Sequence, residues 1–158
     1  MRTLIVYYSR TKTTKAVALK LAEKLQADTE ELIDTKKREG ALGYISAGRD
    51  AMKGAKTKLE ELKKSPADYD LVIIATPIWA WKPSVPVTTF IDEQKDNLGE
   101  VALVITQGAQ PPKQVEIFAT MEEQLGKKSM ANLHLSTMQV KQDKYSEELR
   151  AFVTALHS

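Results

Sequence analysis

The chain is 158 residues long, with 42% hydrophobic and 28% charged residues, as expected of one globular domain spanning residues 1–158. The absence of cysteine excludes disulfides, iron–sulfur ligation and thiol catalysis, and with only two histidines a histidine-rich metal site is not expected. The formal net charge of +2 divides into a basic part, residues 1–64 with 15 Lys and Arg against 9 Asp and Glu, and an acidic remainder with 8 against 12.

The first part of the chain predicts two strand–helix units. Residues 4–8 form an apolar run typical of a strand, and an amphipathic helix follows with apolar residues at i, i+3, i+4 and i+7. These helical positions are Ala18, Leu21, Ala22 and Leu25. Residues 31–34 predict a short second strand, followed by the basic segment 36–43. A second helical pattern then runs through Ile45, Met52, Ala55, Leu59 and Leu62.

The second part predicts three more such units. The continuous apolar run 71–75 suits a strand covered on both faces, and a proline-rich loop separates it from a helix at 87–94. These prolines are Pro77, Pro83 and Pro86. Further strands are predicted at 101–105 and within 131–138.

Two more helices complete the pattern. Pro111 and Pro112 can open the fourth helix, and Gly126 can end it. Its buried face is marked by Phe118, Met121 and Leu125. The last helix has Ser146 as its predicted N-cap. Its apolar stripe consists of Leu149, Phe152, Val153 and Leu156.

Five strands that alternate with helices predict an α/β fold, a doubly wound three-layer sandwich around a parallel sheet. Ligands of such folds bind outside the carboxyl ends of the strands. The loops after the first, third and fourth predicted strands are therefore the candidate site.

Hydroxyl and cationic side chains fill the first of these loops. Its residues are Ser9, Arg10, Thr11, Lys12, Thr13 and Thr14. Together with the unpaired backbone N–H groups at the start of the next helix, such donors form a cradle for a phosphate group. The alternative is an ordinary serine/threonine turn with a helix cap.

Two tryptophans separated by one residue occupy the second loop. Its residues are Thr76, Pro77, Ile78, Trp79, Ala80 and Trp81. Aromatic side chains at this edge can stack on a planar ring. The alternative is that one or both tryptophans fill a gap in the core.

The third loop contains Thr106, Gln107 and Gly108. Gly108 lets a ligand approach the backbone closely, and Gln107 can pair with a polar ring edge. Taken alone, these residues form an ordinary loop. Taken together, the three loops fall where a mononucleotide is expected.

These loops resemble those of the flavodoxin family, and the resemblance covers essentially the whole chain. Ser9, Thr11 and Thr14 match the family's phosphate pattern S-x-T-x-x-T, and residues 76–83 resemble the second flavin loop of bacterial and archaeal members. The resemblance implies that residues 9–14 hold the phosphate of FMN, residues 76–81 wall its isoalloxazine ring, and residues 106–108 close its pyrimidine side. It also implies a short-chain flavodoxin-like sheet of order 2-1-3-4-5.

The chain departs from the family in charge and in glycine content. Lys12 stands where many relatives have glycine, and Arg10 and Lys12 set cations beside a phosphate that many flavodoxins bind with neutral donors. The second flavin loop has no glycine. The basic net charge also contrasts with typical bacterial flavodoxins, so the usual redox partner is not implied.

The resemblance implies an FMN-binding electron-transfer protein that shuttles electrons between redox partner proteins and has no catalytic residue of its own. Two alternatives stay open: an FMN-dependent NAD(P)H:quinone or flavin reductase, and a flavin-free binding or regulatory module. A dinucleotide-binding domain is disfavoured because G-x-G-x-x-G is absent. His134 is expected to be a packing residue in a strand, and His157 to be solvated.

Hydropathy and composition also bear on location and partners. No apolar run approaches the roughly 20 residues of a membrane helix, and the N-terminal segment lacks the stretch of a signal peptide. We therefore expect a cytoplasmic protein without membrane insertion, either a monomer or a weak dimer. Aromatic residues do not interleave with basic ones, so nucleic acid is not an expected partner.

Overall fold

The fold is a parallel sheet flanked by helices, described by a computed structural model for residues 1–35, 56–108 and 114–158. The strand order is β2-β1-β3-β5-β6, and the short β4 pairs antiparallel with β3. The strands are β1 Thr3–Tyr7, β2 Asp28–Glu31, β3 Leu71–Trp79, β4 Lys82–Pro83, β5 Glu100–Gln107 and β6 Asn132–Ser136. The α-helices are α1 Thr13–Leu25, α2 Val85–Gln94, α3 Gln114–Leu125, α4 Thr137–Lys141 and α5 Ser146–Leu156.

The sheet separates two hydrophobic clusters because successive strand residues point to opposite faces. On one face, Ile5 belongs to the same cluster as Leu21 of α1 and Phe152 of α5. The cluster on the other face includes Phe90 of α2 and Met121 of α3. Both faces of the sheet are thus covered, which confirms the predicted three-layer α/β sandwich.

The predicted strand order is also confirmed. Without the two-residue β4, the strands are arranged 2-1-3-4-5 by chain position. All neighbours within this order of five strands are parallel. The loops after β1, β3 and β5 therefore lie at one edge of the sheet.

The position of the second strand was predicted wrongly. The sequence predicts a short strand at residues 31–34, but β2 is the polar segment Asp28–Glu31. Pairing at a sheet edge needs backbone groups rather than apolar side chains. The buried carboxylate of Glu30 is satisfied by the backbone N–H groups of residues 63–64, at 3.1 and 2.9 Å.

The loop predicted at 76–83 is instead the end of β3 and a tight hairpin. β3 continues to Trp79, because its pairing with β5 extends to Pro77 and its last two residues pair with β4. Ala80 and Trp81 form the turn, and β4 returns beside β3.

Part of the second helical pattern is corrected as well. Leu59 forms an antiparallel bridge with Asp34, and Leu62 is not helical. Both leucines still pack partly buried against the core, which explains their apolar character. The remainder of that helix and the basic segment 36–43 lie outside the described residues, as do Pro111 and Pro112.

Helix ends differ by small amounts from the prediction. α2 begins at Val85 with Pro86 in its first turn, and α5 has Tyr145 rather than Ser146 at its N-cap. Gly126 ends α3 as predicted, with a φ of +73° that favours glycine. In the described part of the chain, every helix is too short or too polar to span a bilayer.

Candidate binding cleft at the carboxyl edge of the sheet

Four parts of the chain meet in a cleft of about 390 Å³ at the carboxyl edge of the sheet. Its walls come from the β1–α1 loop, the end of β3, the end of β5 and helix α4. The lining residues are Arg10, Thr11, Thr13, Thr14, Pro77, Ile78, Trp79, Thr106, Gly108, Thr137 and Lys141. The predicted site residues outside this lining are Ser9, Lys12, Thr76, Ala80, Trp81 and Gln107. The structure therefore brings together residues from all three predicted loops.

The β1–α1 loop is a tight turn into α1. Lys12 takes a left-handed conformation, with φ of +69°, at the N-cap position, and its carbonyl accepts the Ala16 N–H at 3.0 Å. Ser9 Oγ accepts the Lys15 N–H at 3.1 Å. The loop is thus closed by internal hydrogen bonds, and the Lys12 side chain is exposed beside the cleft.

A buried pair of hydroxyls connects the first loop to the third. Thr14 Oγ1 lies 2.9 Å from Thr106 Oγ1. Because one hydroxyl donates to the other, only one of the two hydrogens remains for another acceptor. The pair therefore holds the start of α1 against the end of β5 and contributes one donor at most to a ligand.

The two tryptophans have different surroundings. Trp79 is 4% exposed and packs edge-on against Tyr8, with ring centroids 5.5 Å apart. It belongs to the core and also lines the cleft. Trp81 is 47% exposed and lies in the hairpin turn, outside the lining.

Thr76 stabilises the β3–β4 hairpin through hydrogen bonds to Ser84. Its side chain is fully buried, and its Oγ1 lies 2.9 Å from Ser84 Oγ and accepts the Ser84 N–H at 3.0 Å. Thr76 thus fixes the passage from β4 into α2. Thr76 does not line the cleft itself, but its hydrogen bonds hold the hairpin that carries the cleft residues Pro77, Ile78 and Trp79.

The third loop divides its residues between cleft and interior. Thr106 and Gly108 line the cleft, whereas Gln107 is buried and its Oε1 lies 3.2 Å from His134 Nε2. Burial lowers the pKa of His134, so the neutral ring donates its Nε2–H to this oxygen. Both residues are hydrogen-bonded packing partners, as expected for His134.

Helix α4 supplies two cleft residues that sequence reasoning missed, Thr137 and Lys141. The fifth strand of the parallel order, β6, lies within the predicted range 131–138, and helix α4 follows it directly. Ser136 Oγ accepts the Gln139 N–H, and Gln139 Oε1 accepts the Ser136 N–H. This capping box, a serine followed three residues later by glutamine, was the signal in the sequence for a helix start.

The described lining of the cleft is positively charged. It includes Arg10 and Lys141 and no acidic residue. Lys15, in the first turn of α1, pairs with Glu31 at 3.3 Å. Nowhere in the three described ranges do three or more potential metal ligands cluster. The cleft thus offers cations and hydroxyls at the helix start and an aromatic wall at the end of β3.

Comparison with known proteins shows similarity of fold. No protein-family model and no curated protein matches the chain. A flavoprotein of Lactobacillus acidophilus, solved in complex with FMN, is 23% identical and aligns over 92% of this chain and 99% of its own, with a TM-score of 0.67. A two-electron reduced flavodoxin of Megasphaera elsdenii is 14% identical over 98% of both chains, with a TM-score of 0.60. An apo NADH:FMN oxidoreductase is 15% identical over 98% of this chain and 88% of its own, with a TM-score of 0.58.

Proposed function

We propose that this chain, which has the flavodoxin-like fold, binds one FMN in the cleft and shuttles electrons between redox partner proteins in the cytoplasm. The observation that carries the proposal is the meeting of cations, hydroxyls and an aromatic wall in one cleft at the sheet edge. The FMN complex of the similar Lactobacillus acidophilus flavoprotein supports the choice of cofactor.

The donor set of the cleft fits a phosphorylated planar ligand. Arg10, Thr11 and Thr13 stand at the start of α1, where a phosphate also meets the positive end of the helix dipole. Trp79 offers a rigid apolar wall for a ring. A Cβ built at position 108 would meet Thr137 Oγ1 at 3.9 Å, an ordinary contact distance, so the end of β5 lies next to α4 at this point of the cleft.

Bound FMN would supply the redox chemistry, as cofactors generally do. The residues of this chain would bind it, orient it and exclude water from one side of its ring. The buried Tyr8–Trp79 pair makes that side rigid. No residue of the cleft needs to act as acid, base or nucleophile for electron transfer.

A reductase that uses NAD(P)H directly is the second candidate, favoured by the similarity to the NADH:FMN oxidoreductase. Oxidation of NADH or NADPH by the purified, FMN-loaded protein without a partner would support the reductase. Dependence on an added redox protein would support the carrier. A protein that stays colourless with added FMN would contradict both and favour a flavin-free binding module.

The direct test is a titration of apoprotein with FMN and with riboflavin, followed by flavin absorbance and tryptophan emission. We expect FMN to bind more tightly and to quench the emission, because Trp79 lines the cleft. The double variant Thr11→Ala/Thr13→Ala should weaken FMN about tenfold or more and leave riboflavin unchanged, since hydrogen bonds to a charged group are worth about 1.5–3 kcal/mol.

The matched control is Thr120→Ala/Thr154→Ala, which removes two hydroxyls from exposed helix positions away from the cleft. This control should bind FMN like the parent protein. Equal losses for FMN and riboflavin in the first double variant would contradict the assignment of the loop to the phosphate.

A further inference from the structure

Lys141 lies in the cleft but belongs to none of the three loops that carry the flavodoxin resemblance. We propose that Lys141 pairs with the phosphate of the bound flavin nucleotide and, together with Arg10, makes the site selective for phosphorylated flavin. This inference rests on the proposed function and assigns a binding residue on α4.

The first step of the argument concerns the supply of donors. Ser9 and Thr14 match the phosphate pattern. Ser9 Oγ accepts the Lys15 N–H and keeps its own hydrogen, but Ser9 lies outside the lining of the cleft, and the buried Thr14–Thr106 pair uses one of its two hydrogens internally. Fewer hydroxyls of the pattern can therefore donate to a ligand in the cleft than the sequence indicates.

The second step concerns charge. A phosphate monoester carries between one and two negative charges near neutral pH. Among the described lining residues, Arg10 and Lys141 are the two with a positive charge, and none is negative. Neutralising a dianion within this lining thus involves Lys141 as well as Arg10.

The third step concerns placement. Thr137 borders the third loop, because its Oγ1 is the nearest neighbour of a Cβ built on Gly108. Lys141 lies one helical turn further, at i+4, and thus on the same face of α4 as Thr137. Helix α4 packs beside α1, the helix whose start forms the hydroxyl-rich loop. Lys141 therefore reaches the cleft from α4, near the loop that carries Arg10.

The fourth step concerns competition from acidic groups. Asp143, the acidic residue nearest in sequence to Lys141, forms an ion pair with Lys20. Within the described ranges no carboxylate is paired with Lys141. Its charge is therefore available to an anionic ligand.

The experiment titrates apoprotein with FMN and with riboflavin by tryptophan quenching, at low and at high NaCl. Lys141→Gln should weaken FMN binding about five- to tenfold, between the values for an exposed ion pair and a charged hydrogen bond, and leave riboflavin unchanged. It should also reduce the salt dependence of FMN binding, because one screened charge pair is gone. Lys141→Arg, which keeps the charge, should restore most of the affinity.

Lys144→Gln is the matched control, since it removes the same charge from an exposed position three residues away, outside the cleft. It should bind both flavins like the parent protein. Equal effects of Lys141→Gln and Lys144→Gln, or an equal loss of riboflavin, would overturn the inference and leave the proposed function intact. Failure of the parent protein to bind FMN would overturn the proposed function itself and the inference with it.

Discussion

At the scale of single residues, the buried hydroxyl pair of Thr14 and Thr106 is the contact that joins two loops of the cleft. The two side chains are 1% and 3% exposed, and their oxygens are 2.9 Å apart. A buried hydroxyl without a partner costs about 1–3 kcal/mol, whereas replacing both members by apolar groups of the same shape can be nearly neutral.

We therefore predict a non-additive double-mutant cycle at this pair. Thr14→Val and Thr106→Val should each lower the free energy of unfolding by about 1–3 kcal/mol, and the double variant should recover much of that loss. Urea-induced unfolding followed by circular dichroism measures all four proteins. A double variant whose loss equals the sum of the two single losses would contradict the pairing.

Sequence reasoning identified residue types at the site but not their hydrogen-bond partners. Serine and threonine in the first loop predicted a cradle, yet a pattern in the sequence cannot show that Thr14 meets Thr106, because that contact joins residues 92 positions apart. The structure explains why many relatives have glycine where this chain has Lys12. Lys12 takes a left-handed φ of +69°, a conformation that glycine adopts without Cβ strain.

At the scale of elements, the β3–β4 hairpin combines a tight turn with unfavourable residues. Ala80 and Trp81 have φ values of +48° and +66°. Two-residue hairpins with positive φ at both central positions strongly favour asparagine and glycine. Each non-glycine residue held there costs about 1–2 kcal/mol, so the turn that follows the cleft wall in the chain has a strained backbone conformation.

Because of this strain, replacing alanine by glycine should stabilise the protein at position 80 and destabilise it at position 151. Ala80→Gly should raise the free energy of unfolding by about 0.5–1 kcal/mol, the relief of strain less the entropy cost of glycine. Ala151→Gly, at an exposed position inside α5, should lower it by about 1 kcal/mol. Thermal and urea unfolding compare both variants with the parent chain. Destabilisation by Ala80→Gly would show that the turn is not strained.

The elements that sequence reasoning misplaced are those fixed by tertiary pairing. β2 is a polar strand at the edge of the sheet, and its identity follows from pairing with β1 rather than from its own residues. The end of β3 is extended by β4 and β5, which lie later in the chain. Helix α4 is the exception, because its capping box at Ser136 and Gln139 was present in the sequence.

At the scale of the whole molecule, the architecture was predictable because strand and helix periodicities alternate clearly. The run from Leu71 to Ala75 is at most 1% exposed, as a strand covered on both faces requires. The helix stripes of α3 and α5 are buried as predicted, except for Val153 of α5, which is partly buried. The register between strands and the closure of the cleft depend on contacts across the fold, which local periodicity does not contain.

The stability of the whole molecule should depend on pH in the alkaline range through Tyr7. Burial, and then the charge of Glu31, raises the pKa of Tyr7 from 10.0 to about 12. The unfolded chain therefore loses this proton first, so the contribution is complete below pH 10 and is lost as the pH rises towards 12.

Tyr7→Phe removes the titrating group and should flatten the alkaline limb of a plot of unfolding free energy against pH. Urea unfolding of both proteins at a series of alkaline pH values gives the two slopes. The other tyrosines and the lysines are common to both proteins, so they cancel in the comparison. Parallel slopes would contradict the raised pKa of Tyr7.

The strand order also has a consequence for how the chain is made. Thr3 of β1 pairs with Leu71 of β3, so the middle of the sheet joins segments that leave the ribosome far apart in time. At about 5–20 residues per second, the intervening chain takes roughly 3–14 s to synthesise. During translation the apolar first strand is therefore complete before its central neighbour exists, and among the described strands only the polar β2 precedes β3 and can pair with it. In this interval the edge of β1 that faces β3 in the folded protein lacks its partner.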